Sequence, residues 1–401
     1  MTRAGTYGHG RVREDYFKTS RPGVYLEKEF GRPRRAEFRT GVPAFLGLAP
    51  GNSVSGEEAR PGEPFVLRLS LWSQFERSFV KPWRDSYLAY AVRGFFENGG
   101  TECYAILLND NGFAALSDGL EAIESMNTVD LVAAPDSAAD RTTALDFQQA
   151  VVTHCDNMGD RFAILDSRVG DANDQVWEQW SETDGTNGAI YYPWIRVRSL
   201  TDQKTQLVPP CGHVAGVYAR TDQTIGVHKS PANATLEGVH DLERHLTGAD
   251  QDYLNPKRIN CLRSFPGRGI RVWGARTLSG HDTFTYVNVR RQFLTVTRWI
   301  EWNLDLAFET NDPKLWARIE SRVTSYLTDQ FRAGALRGST PQQAFFVKCD
   351  SETNSADFRD SGRVMTEIGL ALTVPFEFVV VRLIHGKRGV TVSGLAESAM
   401  F

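Results

Sequence analysis

Three aspartates, Asp110, Asp136 and Asp166, stand at or just after the ends of three predicted buried strands. The carboxyl ends of parallel strands meet along one edge of an open sheet, where such folds bind ligands, so these side chains can converge. Three converging carboxylates can hold Mg²⁺ or perform acid/base chemistry, which would indicate a metal- or nucleotide-dependent α/β enzyme. Helix capping and turn formation explain the same residues, because acidic caps are common where a strand leads into a helix.

The other chemical motifs do not strengthen the enzyme interpretation. The sequence has no G-x-x-x-x-G-K-[ST] phosphate loop, no G-x-S-x-G nucleophile elbow and no H-E-x-x-H zinc motif. Gly267-Arg268-Gly269 begins like a dinucleotide fingerprint, but the third glycine is missing and the segment does not follow the first strand of a βαβ unit, so a tight turn is favoured. His240 and His245 are five residues apart and point to different helix faces. We therefore expect no catalytic residue, no bound metal and no cofactor.

Residues 82–197 alternate helical and strand patterns. Apolar residues between Tyr87 and Phe96 recur on one helix face, which Asn98-Gly99-Gly100 ends, and a continuous apolar run over 103–108 follows. Continuous runs are typical of parallel strands buried on both faces. Three further cycles predict helices near 116–123, 145–155 and 176–180 and strands over 129–134, 161–166 and 189–197. The pattern predicts an α/β fold with an open, mostly parallel sheet flanked by helices.

The second half of the chain predicts a different arrangement. Residues 198–285 are rich in Gly, Pro, Asn and Asp, which predicts short elements and long loops. A helix face follows over 289–300, and a second helix has Asp312 as its cap, Pro313 in its first turn and Gly334 at its end. Strands are predicted over 344–349, 364–372 and 377–384. We expect a core domain over 22–285 and an α+β C-terminal domain over 286–384.

Composition and charge exclude several classes of protein. The chain has 401 residues, a formal net charge of −4 and 41% hydrophobic residues, and its pI is near 6.1. This balance gives no general attraction to nucleic acid or to an anionic membrane. There is no run of 18 apolar residues and no signal-peptide core near the start, so synthesis in the cytoplasm and no direct membrane insertion are expected. Five dispersed cysteines indicate small core residues rather than a disulfide framework.

Both ends of the chain look incomplete by themselves. Residues 1–21 are polar and aperiodic, and residues 1–35 carry nine Lys/Arg against four acidic residues. A solvated tail and a docking arm are both compatible with this pattern. Residues 385–401 are glycine-bearing and form a second predicted arm. The run 378–384 has high β propensity and would be an edge strand in a monomer, so the layout favours a subunit that exchanges strands with its neighbours.

Sequence strings along most of the chain resemble the tail sheath proteins of contractile phage tails, R-type bacteriocins and contractile injection systems. The first is Pro22-Gly23-Val24-Tyr25, and a string like the family's first core strand follows at 40–47. The other similar strings keep the family's order, at 216–222, 230–233, 254–256, 259–260, 272–277, 287–291, 308–312, 315–316, 334–336, 344–350 and 375–379.

The resemblance implies a structural subunit rather than an enzyme. It implies a helical homo-oligomer of stacked hexameric rings around an inner tube protein, bounded by baseplate and cap proteins, which shortens and drives the tube through a target envelope. It implies arms at 1–21 and 385–401 that add strands to a neighbour's C-terminal domain. The residues that it implies for these inter-subunit contacts are Pro22, Gly23, Val24, Tyr25, Leu26, Phe378, Val379, Val380, Val381 and Arg382. The resemblance implies that the assembled sheath is part of a phage tail or tail-like particle. This particle would be assembled in the cytoplasm and could then be released.

For the surface that faces the tube, we single out Lys314, Arg318 and Arg322, spaced i, i+4 and i+8 on the predicted helix after Asp312. Such a basic stripe can meet an acidic tube. A solvated helix face explains the same residues. Besides the enzyme, a non-contractile shell protein, which would assemble with one diameter, stays a further alternative.

Overall fold

The computed structural model describes residues 38–51, 64–80, 86–202, 204–304, 309–360, 362–372, 378–386 and 389–395. The strands are β1 (Pro43–Leu48), β2 (Phe65–Leu69), β3 (Cys103–Leu108), β4 (Leu131–Ala133), β5 (Phe162–Asp166), β6 (Gly188–Tyr192), β7 (Ile195–Arg198), β8 (Thr205–Val208), β9 (Ala234–Thr235), β10 (Val239–Leu242), β11 (Asn260–Phe265), β12 (Gly269–Val272), β13 (Phe345–Lys348), β14 (Val364–Ala371), β15 (Phe378–Gly386) and β16 (Gly389–Leu395). The helices are α1 (Trp72–Arg77), α2 (Tyr87–Glu97), α3 (Phe113–Glu124), α4 (Ala144–Met158), α5 (Asn173–Glu182), α6 (Cys211–Thr224), α7 (Gly248–Leu254), α8 (Val287–Asn303), α9 (Pro313–Arg332), α10 (Pro341–Ala344) and α11 (Ala356–Asp360).

The largest sheet among the described residues has nine strands in the order β2-β3-β1-β4-β5-β6-β11-β12-β9. The strands from β3 to β11 in this order pair in parallel, and β2, β12 and β9 join antiparallel at the two ends. The prediction of an open, mostly parallel sheet is confirmed.

Helices cover both faces of this sheet. Successive side chains of a strand point to opposite faces. Phe45 belongs to the core that includes the buried residues of α2 and α6, whereas Ala44 and Leu46 belong to the core that includes those of α3 and α4. This double cover explains why the strand runs are continuously apolar. The five cysteines are free and buried, as expected of small core residues.

The predicted strand over 189–197 is wrong in one respect, because the structure divides it. β6 belongs to the large sheet, whereas β7 joins a three-stranded sheet of order β10-β7-β8. Pro193 lies between them and has no N–H to donate to a ladder. Beside it, the buried Trp194 turns its indole Nε1 to donate to the carbonyl oxygen of Ser167 at 2.6 Å.

The expectation of only short elements over 198–285 is also wrong, since α6 is a 14-residue helix. Its glycines allow a very close approach to α2. A Cβ added to Gly212 would lie 2.3 Å from the Cα atom of Ala91, and one added to Gly216 would lie 2.5 Å from the carbonyl oxygen of Phe95. A helix that is buried nearly all round shows little one-sided periodicity, so it is easily missed.

The predicted helix after Asp312 is α9, and the three predicted C-terminal strands are β13, β14 and β15, whereas α10, α11 and β16 were not predicted. α9 begins with Asp312, whose carboxylate accepts from the Leu315 N–H at 2.9 Å, and Pro313 occupies its first turn. Gly334 follows the helix with a φ of 77°. α9 packs on β13 of a four-stranded antiparallel sheet of order β13-β14-β15-β16. The division into domains at residue 285 stays a prediction. None of the described helices has the length and apolar content needed to span a bilayer.

Candidate functional site

The three aspartates act as hydrogen-bond acceptors for backbone at the sheet edge. The exposed Asp110 accepts from the Gly112 N–H at 2.6 Å, just before α3. Asp136 accepts from the Leu48 N–H at 2.9 Å, where β1 ends. Asp166 is buried and accepts from the Cys211 N–H at 2.8 Å, at the start of α6.

Burial controls the charge state of two of these groups. Burial raises the pKa of Asp166 to about 7, although hydrogen bonds from Cys211 act in the opposite direction. Burial likewise raises the pKa of Asp136 to about 6, although hydrogen bonds from the backbone N–H groups of Leu48 and Tyr87 lower it. In the part of the chain that the structure describes, no group of three or more His, Cys, Asp or Glu residues could hold a metal ion. The geometry therefore favours capping, and the proposed Asp110, Asp136 and Asp166 enzyme site is not supported.

The run 378–382, predicted as part of an unpaired edge, lies inside the C-terminal sheet. β15 pairs antiparallel with β14 over Ala371↔Phe378 to Val364↔His385, and with β16 on its other side. The expectation that a monomer leaves this run as an edge is therefore wrong. Part of the predicted arm 385–401 forms β16, so among the described residues the two edges of this sheet are β13 and β16. Phe378, Val379, Val380, Val381 and Arg382 belong to β15, whereas Pro22, Gly23, Val24, Tyr25 and Leu26 lie outside the described residues.

The basic stripe of α9 is on the solvent side of that helix. Lys314, Arg318 and Arg322 are all exposed, and the opposite face is buried. Arg318 pairs with Glu309 at 2.9 Å, where both side chains are largely solvated. Within the described ranges, Lys314 and Arg322 have no acidic partner. The stripe is thus available for a contact with an acidic surface.

A buried ionic cluster, which no motif in the sequence marks, joins α8 to the core. Arg291 on α8 contacts the carboxylates of Asp222 at 2.6 Å and Asp130 at 3.1 Å, and Arg298 lies 3.9 Å from Asp130. The Asp130 carboxylate also accepts from the N–H groups of Gly41 at 3.0 Å and Val42 at 2.6 Å, at the entry to β1.

Burial and charge pairing act in opposite directions on the Arg291–Asp222 pair. Burial lowers the pKa of Arg291, but Asp222 and Asp130 outweigh burial and raise it overall. Burial raises the pKa of Asp222 and exceeds the opposing effect of Arg291. The cluster ties the start of β1, the start of β4, α6 and α8 together at one end of the sheet. α8 carries the arginines Arg290, Arg291 and Arg298 together with Glu301, so the sequence pattern of the helix does not single out Arg291.

Known proteins with a similar sequence and fold identify the family of this chain. The family described as phage tail sheath protein central domain matches residues 111–278. The tail sheath protein of Salmonella phage ViI is 26% identical over 218 residues, which are 52% of this chain and 33% of the phage protein. The helical sheath of the anti-feeding prophage (AFP), solved in its contracted state, is 31% identical, with a TM-score of 0.71 over 90% of this chain and 98% of the sheath chain. The chain belongs to the contractile tail sheath protein family.

A second solved AFP structure agrees with this assignment. A chain of the AFP baseplate is 32% identical to this sheath protein, with a TM-score of 0.72 over 89% of this chain and 97% of the baseplate chain. This sheath protein therefore matches nearly the whole length of the AFP chains but only about a third of the Salmonella phage protein.

Proposed function

We propose that this chain is the sheath subunit of a contractile, phage-tail-like particle. Copies assemble as stacked hexameric rings around an inner tube, and contraction of the sheath drives the tube through a target envelope. The observation that carries this proposal is the agreement of fold and sequence with the contracted AFP sheath over 98% of that chain. The chain needs no bound nucleotide for this work if the extended sheath is metastable and contraction gains interface between subunits.

Strand exchange is the proposed link between subunits. The arm 1–21 adds a strand to an edge of a neighbour's C-terminal sheet. The arm 385–401, which in the single chain forms β16 beside its own β15, takes the same place beside the β15 of a neighbour. An extended arm of 21 residues reaches up to roughly 70 Å, far enough to cross onto an adjacent subunit. Backbone pairing depends little on side-chain identity. It can therefore persist as a hinge while the rings move.

The proposed partners of the sheath are the inner tube in its lumen and the baseplate and cap proteins at its two ends. The exposed cations Lys314, Arg318 and Arg322 face the inner tube. The match to a chain of the AFP baseplate supports contact with baseplate proteins, and a cap protein ends the sheath at the other side. Nucleic acid and direct insertion into a membrane have no part in this function. Synthesis and assembly take place in the cytoplasm, and the particle is released afterwards.

Negative-stain electron microscopy of the expressed full-length chain tests the proposal. Rings or cylinders are expected, with a narrow extended and a wide contracted diameter when tube and baseplate are present. Cylinders of one diameter only would identify a non-contractile shell instead.

Two truncations test strand exchange separately. A chain that lacks residues 1–21 is expected to fold, to stay unassembled and to keep a circular dichroism spectrum close to that of the full-length chain. A chain that lacks residues 385–401 also loses β16 and the end of β15, so it is expected to stay unassembled with a smaller strand signal. If both truncated chains still built long cylinders, strand exchange would be wrong.

A further inference from the structure

Charge is strongly segregated along the chain. Residues 253–281 contain six Lys/Arg and no Asp or Glu, whereas residues 94–160 contain twelve Asp/Glu and a single Arg, Arg141. The cationic segment includes β11 and β12, and the acidic segment includes α3 and α4. Both segments present part of this charge at the surface.

The cationic segment contains a tight turn between its two strands. Residues 265–268 join β11 to β12, and the Arg268 N–H donates to the carbonyl oxygen of Phe265 at 2.9 Å. Pro266 and then Gly267, with a φ of 70°, occupy the two central positions, as a type II turn requires. Residues 266–269 are exposed. The turn includes Gly267 and Arg268 of the Gly267-Arg268-Gly269 string, so the tight turn predicted for this string is confirmed.

Three guanidinium groups crowd around this turn without a carboxylate among the described residues. Arg263 and Arg271 are direct cross-strand partners, an arrangement of like charges that destabilises a sheet. Arg263 and Arg268 lie against the ring of Phe265, at 5.2 and 5.6 Å. The Nε atom of Arg263 is buried and finds no hydrogen-bond acceptor in the described chain. Arg268 and Arg271 contact the Asn233 side-chain oxygen, and Arg271 also bonds to backbone carbonyl oxygens. An acidic partner would relieve this repulsion.

The acidic segment contains a groove of about 970 Å³ between α3 and α4. Phe113, which is 51% exposed, and Phe147 form an aromatic wall with ring centroids 5.8 Å apart. Glu121, Glu124 and Asp146 contribute carboxylates to the lining. In the described part of the chain, these acidic side chains have no ion-pair partner. The groove thus offers apolar area next to unpaired negative charge.

The turn and the groove of one chain belong to different strands of the sheet. α3 packs on β1 and β3 and α4 on β4 and β5, whereas the turn follows β11, which three strands separate from β1 and one strand, β6, separates from β5. At ~4.8 Å between neighbouring strands, β1 and β11 are about 19 Å apart. Two different surfaces that complement each other form a head-to-tail contact between copies, which repeats into a ring or a filament.

We propose that the 265–268 turn of one copy sits in the α3–α4 groove of a second copy of this chain. Arg263 and Arg268 face Glu121 and Glu124, and the turn covers Phe113. The inference rests on the proposed function, because both require the chain to assemble with itself. It adds a contact made by side chains of the folded core to the backbone pairing of the arms.

Charge reversal in full-length chains tests the contact. E121R/E124R and R263E/R268E are each expected to raise the critical concentration for cylinder assembly about tenfold or more, because each replaces attraction by repulsion. A chain that carries all four changes is expected to recover assembly. The matched control is E178R/E182R, an equal charge change at exposed positions of α5, which is expected to assemble like wild type. The contact would be overturned if E121R/E124R behaved like this control, or if the fourfold variant failed to recover.

Crosslinking gives a readout that does not depend on how reversed charges affect folding. Since the five native cysteines are buried, a bis-maleimide links only introduced thiols. Mixed cylinders of R268C and S117C chains are expected to give crosslinked dimers, and R268C with S181C on α5 is expected to give none. Cylinders without the R268C–S117C crosslink would overturn this contact and leave the proposed function standing. Wild-type chains that stay monomeric would contradict the proposed function and the contact together.

Discussion

Arg291 on α8 donates two hydrogen bonds to the carboxylate of Asp222 on α6, at 2.9 and 2.6 Å, although both side chains are almost completely buried. The same guanidinium also reaches Asp130 at 3.1 Å. Removal of the arginine would take the counter-charge from the buried Asp222 and would leave Asp130 with Arg298 alone, at 3.9 Å. Replacing only one partner of a buried ion pair is strongly destabilising, even where the intact pair adds little to the free energy of folding.

Arg291→Met is therefore expected to lower the free energy of unfolding by about 3–5 kcal/mol. Urea denaturation of the full-length chain at low concentration measures this change. The matched control is Arg318→Met, which removes a solvated ion pair with Glu309 and is expected to cost about 0–1 kcal/mol. Equal losses in the two variants would show that the buried cluster is not important for stability.

Asp166 makes stability depend on pH in an unusual direction. Burial raises the pKa of Asp166 to about 7 in the folded chain, whereas an unfolded aspartate titrates near 3.9. A raised carboxyl pKa gives stability that is fully present below the unfolded value and is lost as the pH rises towards 7. Between these limits, each pH unit costs up to about 1.4 kcal/mol.

Asp166→Asn is thus expected to flatten the change in unfolding free energy between pH 4 and pH 7 relative to wild type. The amide oxygen can still accept from the Cys211 N–H. Denaturation at several pH values measures the difference, and Asp252→Asn at an exposed position is the control that should keep the wild-type slope. A wild-type slope in Asp166→Asn would contradict the burial argument.

The contact between α2 and α6 has no room for a methyl group. Gly212→Ala would place a Cβ 2.3 Å from the Ala91 Cα atom, and the strain of overpacking is expected to cost about 1–3 kcal/mol or more. Gly248→Ala in α7 is the control, since no atom lies within 4 Å of its added Cβ. Thermal unfolding should separate the two, and equal melting temperatures would refute the close packing.

The α9 stripe is expected to bind the tube rather than stabilise the fold. K314E/R322E should keep the wild-type melting temperature, because exposed charges contribute little to stability, and should lose co-sedimentation with inner tubes of the same particle. R77E/K204E changes the net charge equally at other exposed sites and should still bind. Tube binding by K314E/R322E at the control level would show that another surface faces the tube.

The local sequence pattern was sufficient to predict the helices that have one clear apolar face and the strands that are one continuous apolar run. The run at 103–108 is β3, and Asp312, Pro313 and Gly334 mark the ends of α9 in the structure as they do in the sequence. These signals are local, because caps, turn formers and periodicity act within a few residues. The family assignment also follows from short strings in a fixed order.

Only the tertiary structure decides which distant groups meet. Arg291 lies 161 residues from Asp130 and 69 from Asp222, and the division at Pro193 depends on which sheet each half joins. Asp136 and Asp166 show the limit most clearly: an aspartate after a strand can be a ligand or a cap. The choice depends on whether an N–H group from another element arrives beside it. That is a matter of packing, because burying the carboxylate without such a donor would be too costly.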